Sequence, residues 1–272
     1  MTLPKITVVT PSYNQGKFLE QTIKSVLDQD YPNLEYIIMD GGSTDNSVEI
    51  IKKYEQNLAY WQSQPDGGQS TAINAGFQRA TGEIFCWLNS DDQFCPNTLK
   101  IVGNYFISHL DRDWVGGGGI IRVLNGEERI ILPKNIDFES FLYRWAENCV
   151  CQPSIFWRKA LWTRIGCFDD FYQSSFDYEF WLRIAQYGNG GKIDDILSIN
   201  LFHPAQKTQA KYYETFVETN IIMFVNGARD EARKNLLMVC ERSFRYEKKL
   251  SSIRNNIFYR IIRKIYKIIL HR

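Results

Sequence analysis

The sequence predicts an α/β protein: a mixed, mainly parallel sheet flanked by helices, followed by a helical C-terminal extension. Two observations predict it. Short apolar or β-branched runs alternate with helical patterns through the first hundred residues, as in sheets whose strands are joined by covering helices. The polar, glycine-bearing loops in that region follow the strands, at the edge where such sheets bind ligands. A chain of 272 residues, 44% hydrophobic and 14% aromatic, is also long enough to bury a substantial core.

The strands are read at "KITVVT" (5–10), "LEYIIMD" (34–40), "LAYWQS" (58–63) and "EIFCWLN" (83–89). Between them "GKFLEQTIKSVLDQ", "DNSVEIIKKYEQ" and "GQSTAINAGFQRA" space their apolar residues three or four apart, which makes them helices. Further on, "GGGGIIRVLNGEERIILP" predicts a hairpin turning at Asn125-Gly126, because both residues tolerate positive φ. "FDYEFWLRIAQYG" (176–188) predicts an amphipathic helix ended by Gly188, and "KIDDILSINLFH" a closing strand. From 206 the pattern is helical to the end, so the chain is divided into 1–205 and 206–272.

The net charge of +1 hides an asymmetry. Positions 242–272 hold ten basic residues against Glu247, leaving 22 basic and 30 acidic residues elsewhere. In this tail Ile253, Ile257, Ile261, Ile265 and Ile269 recur every four residues, with basic residues mostly on other faces. Such a helix suits either an anionic membrane surface or packing on its own domain. Six cysteines, with one C-x-C at Cys149 and Cys151 and no disulfide-like framework, point to reduced thiols. With no basic leader and no run of about 18 apolar residues, the expectation is a cytoplasmic protein, at most peripheral on the inner face of a membrane.

Four loops carry the polar chemistry: "TPSYNQG", "DGGSTDNS", "QPDGGQS" and "NSDDQ", one after each of the first four strands. Asp45 and Ser47 suffice to cap the second helix; Asp40 is left over as an acceptor for a base imide N–H. Asp91 and Asp92 follow an apolar strand directly. They either cap a helix before Pro96 or hold Mg²⁺ or Mn²⁺ together with substrate phosphate oxygens. Asp177 and Glu179 lie two apart on a helix and so point to different faces; the readings are one for chemistry and one for structure, the latter pairing with Arg183 four residues on, or a carboxylate that only complements the helix dipole. His203, one of three histidines, is a solvated loop residue, a metal ligand or a diphosphate contact aided by Lys207. Gly116–Gly119 lack the G-x-G-x-x-G spacing, which leaves them a β-bulge or a close backbone approach.

Taken together, "ITVVTPSYNQGKFLEQTIKSVLDQDYPNLEYIIMDGGSTDNS" and "QPDGGQSTAINAGFQRATGEIFCWLNSDD" resemble the donor half of the inverting family 2 glycosyltransferases of the GT-A fold, a Rossmann-like architecture; the likeness runs over about residues 4 to 205. The resemblance implies a nucleotide-diphospho-sugar donor, most often a uridine one. Thr10, Pro11 and Tyr13 would grip base and ribose, Asp40 the uracil, and Asp66 and Gln69 would border the nucleotide. It implies a divalent metal on Asp92 and Asp91 on the ribose or sugar; of the readings open for His203, the one taken with it is a further metal ligand. Asn89 stands where a strict D-x-D has its first acid. On the acceptor side Asp177 aligns with the base, Phe176 replaces the preceding acid, and Gln152 in "CQPSIFW" is an acceptor contact.

The function expected is therefore metal-dependent (Mn²⁺ or Mg²⁺), inverting sugar transfer from a nucleotide-sugar, UDP before others, to a hydroxyl of a saccharide or lipid-linked acceptor in polysaccharide or glycolipid synthesis. The alternative is a nucleotide-sugar-binding module without transfer. No nucleic-acid-binding module accompanies the basic tail.

Overall fold

The computed structural model describes residues 2–124, 126–144, 150–203, 206 and 211–255. Asn125, Cys149, Lys207 and the tail from 256 onwards lie outside the described residues. The chain divides into two compact units, Met1–Thr219 and Asn220–Arg272.

Among the described residues the first unit contains nine strands: β1 (Ile6–Ser12), β2 (Leu34–Asp40), β3 (Tyr60–Ser63), β4 (Ile84–Trp87), β5 (Gln93–Phe94), β6 (Trp114–Val123), β7 (Glu128–Ile131), β8 (Ile155–Arg158) and β9 (Gly190–Phe202). They form one sheet in the order β3-β2-β1-β4-β8-β6-β9-β5, with β7 on β6. The β3-β2-β1-β4 segment is parallel. It is joined by α1 (Leu19–Leu27), α2 (Ser47–Lys53) and α3 (Gln69–Arg79), as the alternation predicts. The remaining helices of this half are α4 (Thr98–Ser108), α5 (Phe138–Arg144), α6 (Lys159–Ile165) and α7 (Phe176–Tyr187). Beyond them run α8 (Tyr212–Val225), within which the two units divide, and α9 (Arg229–Asn255).

Pro11 sits inside β1, where a missing N–H would ordinarily cost a ladder bond. Val9, of the same parity, accepts from the Leu88 N–H on the β4 side. The β1–β4 ladder ends at Val9–Trp87, so Pro11 turns its missing donor to a side where no partner strand continues. Along β6 the register against β9 shifts at Gly117/Gly118 and again at Gly118/Gly119, so the glycine run is a β-bulge. A Cβ on Gly117 would collide with the Leu197 side chain and one on Gly119 with Cys151 Sγ; the close approach is to protein. At the hairpin, Gly126 has φ +92°.

Behind β4 and β8 an aromatic cluster joins sheet and helices. Trp87 stacks on Trp181 of α7 at 5.0 Å and 9°, and Trp157 meets Phe180 edge-on at 5.3 Å. This packing fixes α7, and with it the residues of its first turn.

Candidate active site

Asp40 ends β2 beside Ser12 and is buried. Its Oδ2 accepts from the Ser43 N–H at 2.8 Å, the Gly42 N–H at 3.2 Å and Ser63 Oγ at 2.6 Å, while Oδ1 accepts from Ser43 Oγ at 2.6 Å. A carboxylate oxygen has two lone-pair positions, so Oδ1 retains capacity for one more donor. Asp66 is exposed; it accepts from the Gly68 N–H at 2.8 Å. A Cβ on Gly41 would lie 3.1 Å from Asp66 Oδ2, so the loops after β2 and β3 meet there. The Thr10 side chain departs from expectation: it is wholly buried and its hydroxyl lies 3.1 Å from the Tyr36 hydroxyl. Alternation along β1 places it on the core face that it shares with Val8 and Tyr36. Pro11 is buried too, and of the three only Tyr13, 60% exposed, offers a free side chain.

The acidic pair is organised by a strand of two residues. β5 pairs antiparallel with β9, Gln93 with Ile199 and Phe94 with Ser198, and this pairing brings the chain around 200–203 onto the aspartates. Asp92 is wholly buried. Its Oδ1 accepts from the Leu201 N–H at 3.0 Å, and its Oδ2 from Asn89 Nδ2 at 3.2 Å and Asn200 Nδ2 at 3.3 Å. Burial, reinforced by the neighbouring Asp91 and only partly offset by these donors, pushes its carboxyl well above the usual range. Asp91 is partly exposed and lies 3.0 Å from His203 Nε2; the imidazole is buried and stacks on Phe18 at 4.8 Å.

The two aspartates therefore stand in different surroundings. Asp92 is enclosed with both oxygens bonded to protein, whereas Asp91 and His203 present an oxygen and a nitrogen ligand side by side. Neither aspartate caps a helix, since β5 separates them from α4, whose N-cap position is Asn97. Among the described residues no group of three or more His, Cys, Asp or Glu side chains gathers to hold an ion. One carboxylate and one imidazole fit a cation whose remaining positions are filled by phosphate oxygens and water.

Asn89 is the hub beneath the pair. Its Oδ1 accepts from Gln69 Nε2 at 2.8 Å and Trp87 Nε1 at 3.2 Å, and its Nδ2 donates to Gln152 Oε1 at 2.7 Å as well as to Asp92. Gln152 also donates to the Trp87 carbonyl at 3.2 Å. With its amide engaged at both ends, Gln152 supports Asn89 and is not a free acceptor contact as expected; Gln69 is likewise tied to this network.

Asp177 stands in the first turn of α7, partly exposed, its Oδ1 accepting from the Tyr178 N–H at 2.8 Å. Glu179 forms a two-pronged pair with Arg183 at 2.6 and 2.7 Å, and Arg183 also binds the Ile165 and Cys167 carbonyls. Glu179 is thus structural, as its spacing from Arg183 predicts. Phe176 is 4% exposed and meets Phe168 at 5.4 Å and 88°, so an acid there would be buried among aromatic rings. The loop before α7 also reaches the donor side, where a Cβ on Gly68 (φ +117°) would lie 3.1 Å from Gln173 Oε1.

Two hydroxyls escaped sequence reasoning. Ser12 Oγ, at the end of β1, and Ser174 Oγ, before α7, are buried with no hydrogen-bond partner among the described residues. For Ser12 the signal was available, since it directly precedes Tyr13 in the loop already singled out.

Comparison with known proteins bears on this arrangement. Residues 7–163 match the family described as glycosyl transferase family 2. The chain belongs to that family. It is 34% identical over 189 residues to an uncharacterized glycosyltransferase of Mycobacterium tuberculosis, covering 67% of this chain and 69% of the relative. Over 100 residues it is 36% identical to the putative teichuronic acid biosynthesis glycosyltransferase TuaG of Bacillus subtilis, covering 36% of this chain and 40% of TuaG. Among solved structures, S. aureus TarS 1-349 in complex with UDP-GlcNAc superposes with a TM-score of 0.64 at 20% identity, covering 81% of this chain and 66% of that one. The chain spans only 40% of the longer TarS structure. The mannosyltransferase PcManGT of Pyrobaculum calidifontis, in complex with GDP-Man and Mn²⁺, superposes with a TM-score of 0.61 at 16% identity, covering 95% and 82%. These likenesses carry the fold, and family membership carries nucleotide-sugar-dependent glycosyl transfer. The polar loops after the first four strands thus lie on a family 2 glycosyltransferase sheet, with Asp92 buried and Asp91 partly exposed.

Proposed function

We propose that this family 2 glycosyltransferase moves a sugar, with inversion, from a nucleoside-diphosphate sugar to an acceptor hydroxyl, with Asp177 as the base. Asp91 and His203 would hold Mn²⁺ or Mg²⁺. The observation that carries this reading is the Asp91–His203 pair, 3.0 Å apart and drawn from positions 112 residues apart. When bound, the metal would stabilise charge developing on the departing diphosphate. Asp40 Oδ1, with its remaining acceptor capacity, would take a uracil imide N–H, and Tyr13 would cover the base. Asp66, beside Gly41, would border the ribose. Asp177 would take the acceptor proton as the acceptor oxygen attacks the anomeric carbon from the face opposite the diphosphate.

UDP-N-acetylglucosamine and GDP-mannose are the donors to test first, because similar folds have been solved with them. An acceptor in cell-surface polysaccharide synthesis is supported by the likeness to TuaG. The basic stretch 242–272 supports attachment to an anionic membrane surface on the cytoplasmic side.

Thermal shift with UDP, GDP and dTDP, each with and without Mn²⁺, tests the donor site. Stabilisation by one nucleotide, dependent on Mn²⁺, is expected; stabilisation equal with and without the ion would remove the metal from the reading. Turnover of Asp177→Asn separates enzyme from binding module. A loss of about 10²–10⁴-fold with nucleotide binding intact is expected for a missing base, and unchanged turnover would move the base elsewhere.

A further inference from the structure

We propose that Glu218, on α8, is a positioning residue for Asp177: its carboxylate ties down the three residues that lead into α7 and so holds the base in place. The inference rests on Asp177 being the base.

A helix leaves its first N–H groups without intrahelical partners, and a side chain at the N-cap ordinarily takes one of them. Ser175 occupies the N-cap of α7, yet its side chain makes no capping bond. The Ser175 hydroxyl instead donates to the Thr215 carbonyl at 3.2 Å and lies 3.1 Å from Thr219 Oγ1, both on α8. The chain entering the helix is held instead by Glu218, one turn of α8 beyond Thr215. Its Oε2 accepts from the N–H groups of Ser174 at 2.7 Å and Ser175 at 2.8 Å, and its Oε1 from Gln173 at 3.0 Å. Three consecutive backbone donors converge on one carboxylate from 43 to 45 residues along the chain. Successive backbone N–H groups make such a concavity for an anion, here filled by the protein itself just ahead of the first turn of α7.

Asp177 is two residues beyond the last of these donors. The aromatic packing of Trp181 and Phe180 fixes the body of α7, but it sets only one face of the helix. The entry of the chain into the first turn is set by Glu218 and by the Ser175–Thr219 contact. Glu218 lies beyond residues 7–163, the part matching the family, so α8 completes the acceptor side from outside that segment.

The test compares wild type, Glu218→Ala, Glu218→Gln, Asp177→Asn and the Glu218→Ala/Asp177→Asn double variant. The readout is steady-state release of nucleoside diphosphate from UDP-N-acetylglucosamine or GDP-mannose with Mn²⁺. Loss of positioning is expected to lower kcat on the order of 10²-fold in Glu218→Ala, less in Glu218→Gln, which keeps one acceptor oxygen, with donor KM unchanged. Because Glu218 acts through Asp177, its removal should cost nothing further in the Asp177→Asn background. Unchanged kcat in Glu218→Ala overturns the proposal, and so does an equal further loss in the double variant, which would mark a general effect on the fold. Normal turnover in Asp177→Asn would bring down the base reading and this inference together, whereas an impaired Asp177→Asn beside a normal Glu218→Ala brings down this inference alone. Should Glu218→Ala not fold, hydrogen exchange in Glu218→Gln decides: faster exchange confined to the amides of 173–175 is expected, and unchanged protection there overturns the proposal.

Discussion

At the scale of single residues, Asn89 explains why an amide replaces an acid where the family pattern has one. Its Nδ2 donates to Asp92 and Gln152 while its Oδ1 accepts from Gln69 and Trp87. An aspartate could accept from the last two but donate to neither of the first, and it would add a third carboxylate beside Asp91 and buried Asp92. Asn89→Asp should therefore lower stability by about 1–3 kcal/mol, read from denaturant unfolding near neutral pH; unchanged stability would show that the hub is dispensable. The acidic pair was legible in the sequence as a pair, but which member faces a ligand was not. That distinction depends on β5 meeting β9, a contact across about a hundred residues made by a strand too short to have any periodicity. The same limit applies to Thr10 and Gln152, whose side chains turn towards partners that no local spacing identifies.

At the scale of elements, the first three βα units were legible because each carries its own signal, alternation or helical spacing, within about a dozen residues. The second half was less so: α7 was legible at 176–188, but the short elements β5, α5 and α6 carry no periodicity long enough to read, and the setting of α7's first turn depends on residues distant in the chain. Trp181→Ala would empty the position against Trp87 and should cost about 3–5 kcal/mol, measured by denaturant unfolding; a loss below 1 kcal/mol would mean that the cluster does not fix the helix. At the opposite end of the sheet from the site, Glu35 ties β1 and β2 to the chain entering β4. Burial raises its pKa, but bonds from the Thr7 hydroxyl, the Thr81 hydroxyl and N–H, and Lys5 outweigh this and hold it down to about 2. A group held below its unfolded value stabilises the fold above that value, 4.5, and loses the contribution as pH falls towards 2. Wild type should lose stability between about pH 4.5 and pH 2 more steeply than Glu35→Gln, by thermal melts across that range; parallel curves would remove Glu35 from the account.

At the scale of the whole molecule, the chain is a family 2 glycosyltransferase sheet continued by helices, and among the described residues no helix is long and apolar enough to cross a membrane. The isoleucine repeat of the tail falls mostly outside the described residues, so its amphipathic reading stands on sequence alone. If it meets a membrane, wild type should sediment with anionic vesicles and a variant lacking 250–272 should not; absence of wild-type binding would assign the tail to another role. The central claim is that Asp91 and His203, and not Asp92, are the protein's metal ligands. Calorimetric titration of Mn²⁺ in the presence of UDP, for wild type, Asp91→Asn, His203→Ala and Asp92→Asn, tests it most directly. The account predicts that Asp91→Asn and His203→Ala each weaken Mn²⁺ binding by at least about tenfold, with Asp92→Asn lowering the melting temperature instead. Wild-type Mn²⁺ affinity in Asp91→Asn, beside its loss in a folded Asp92→Asn, would contradict it.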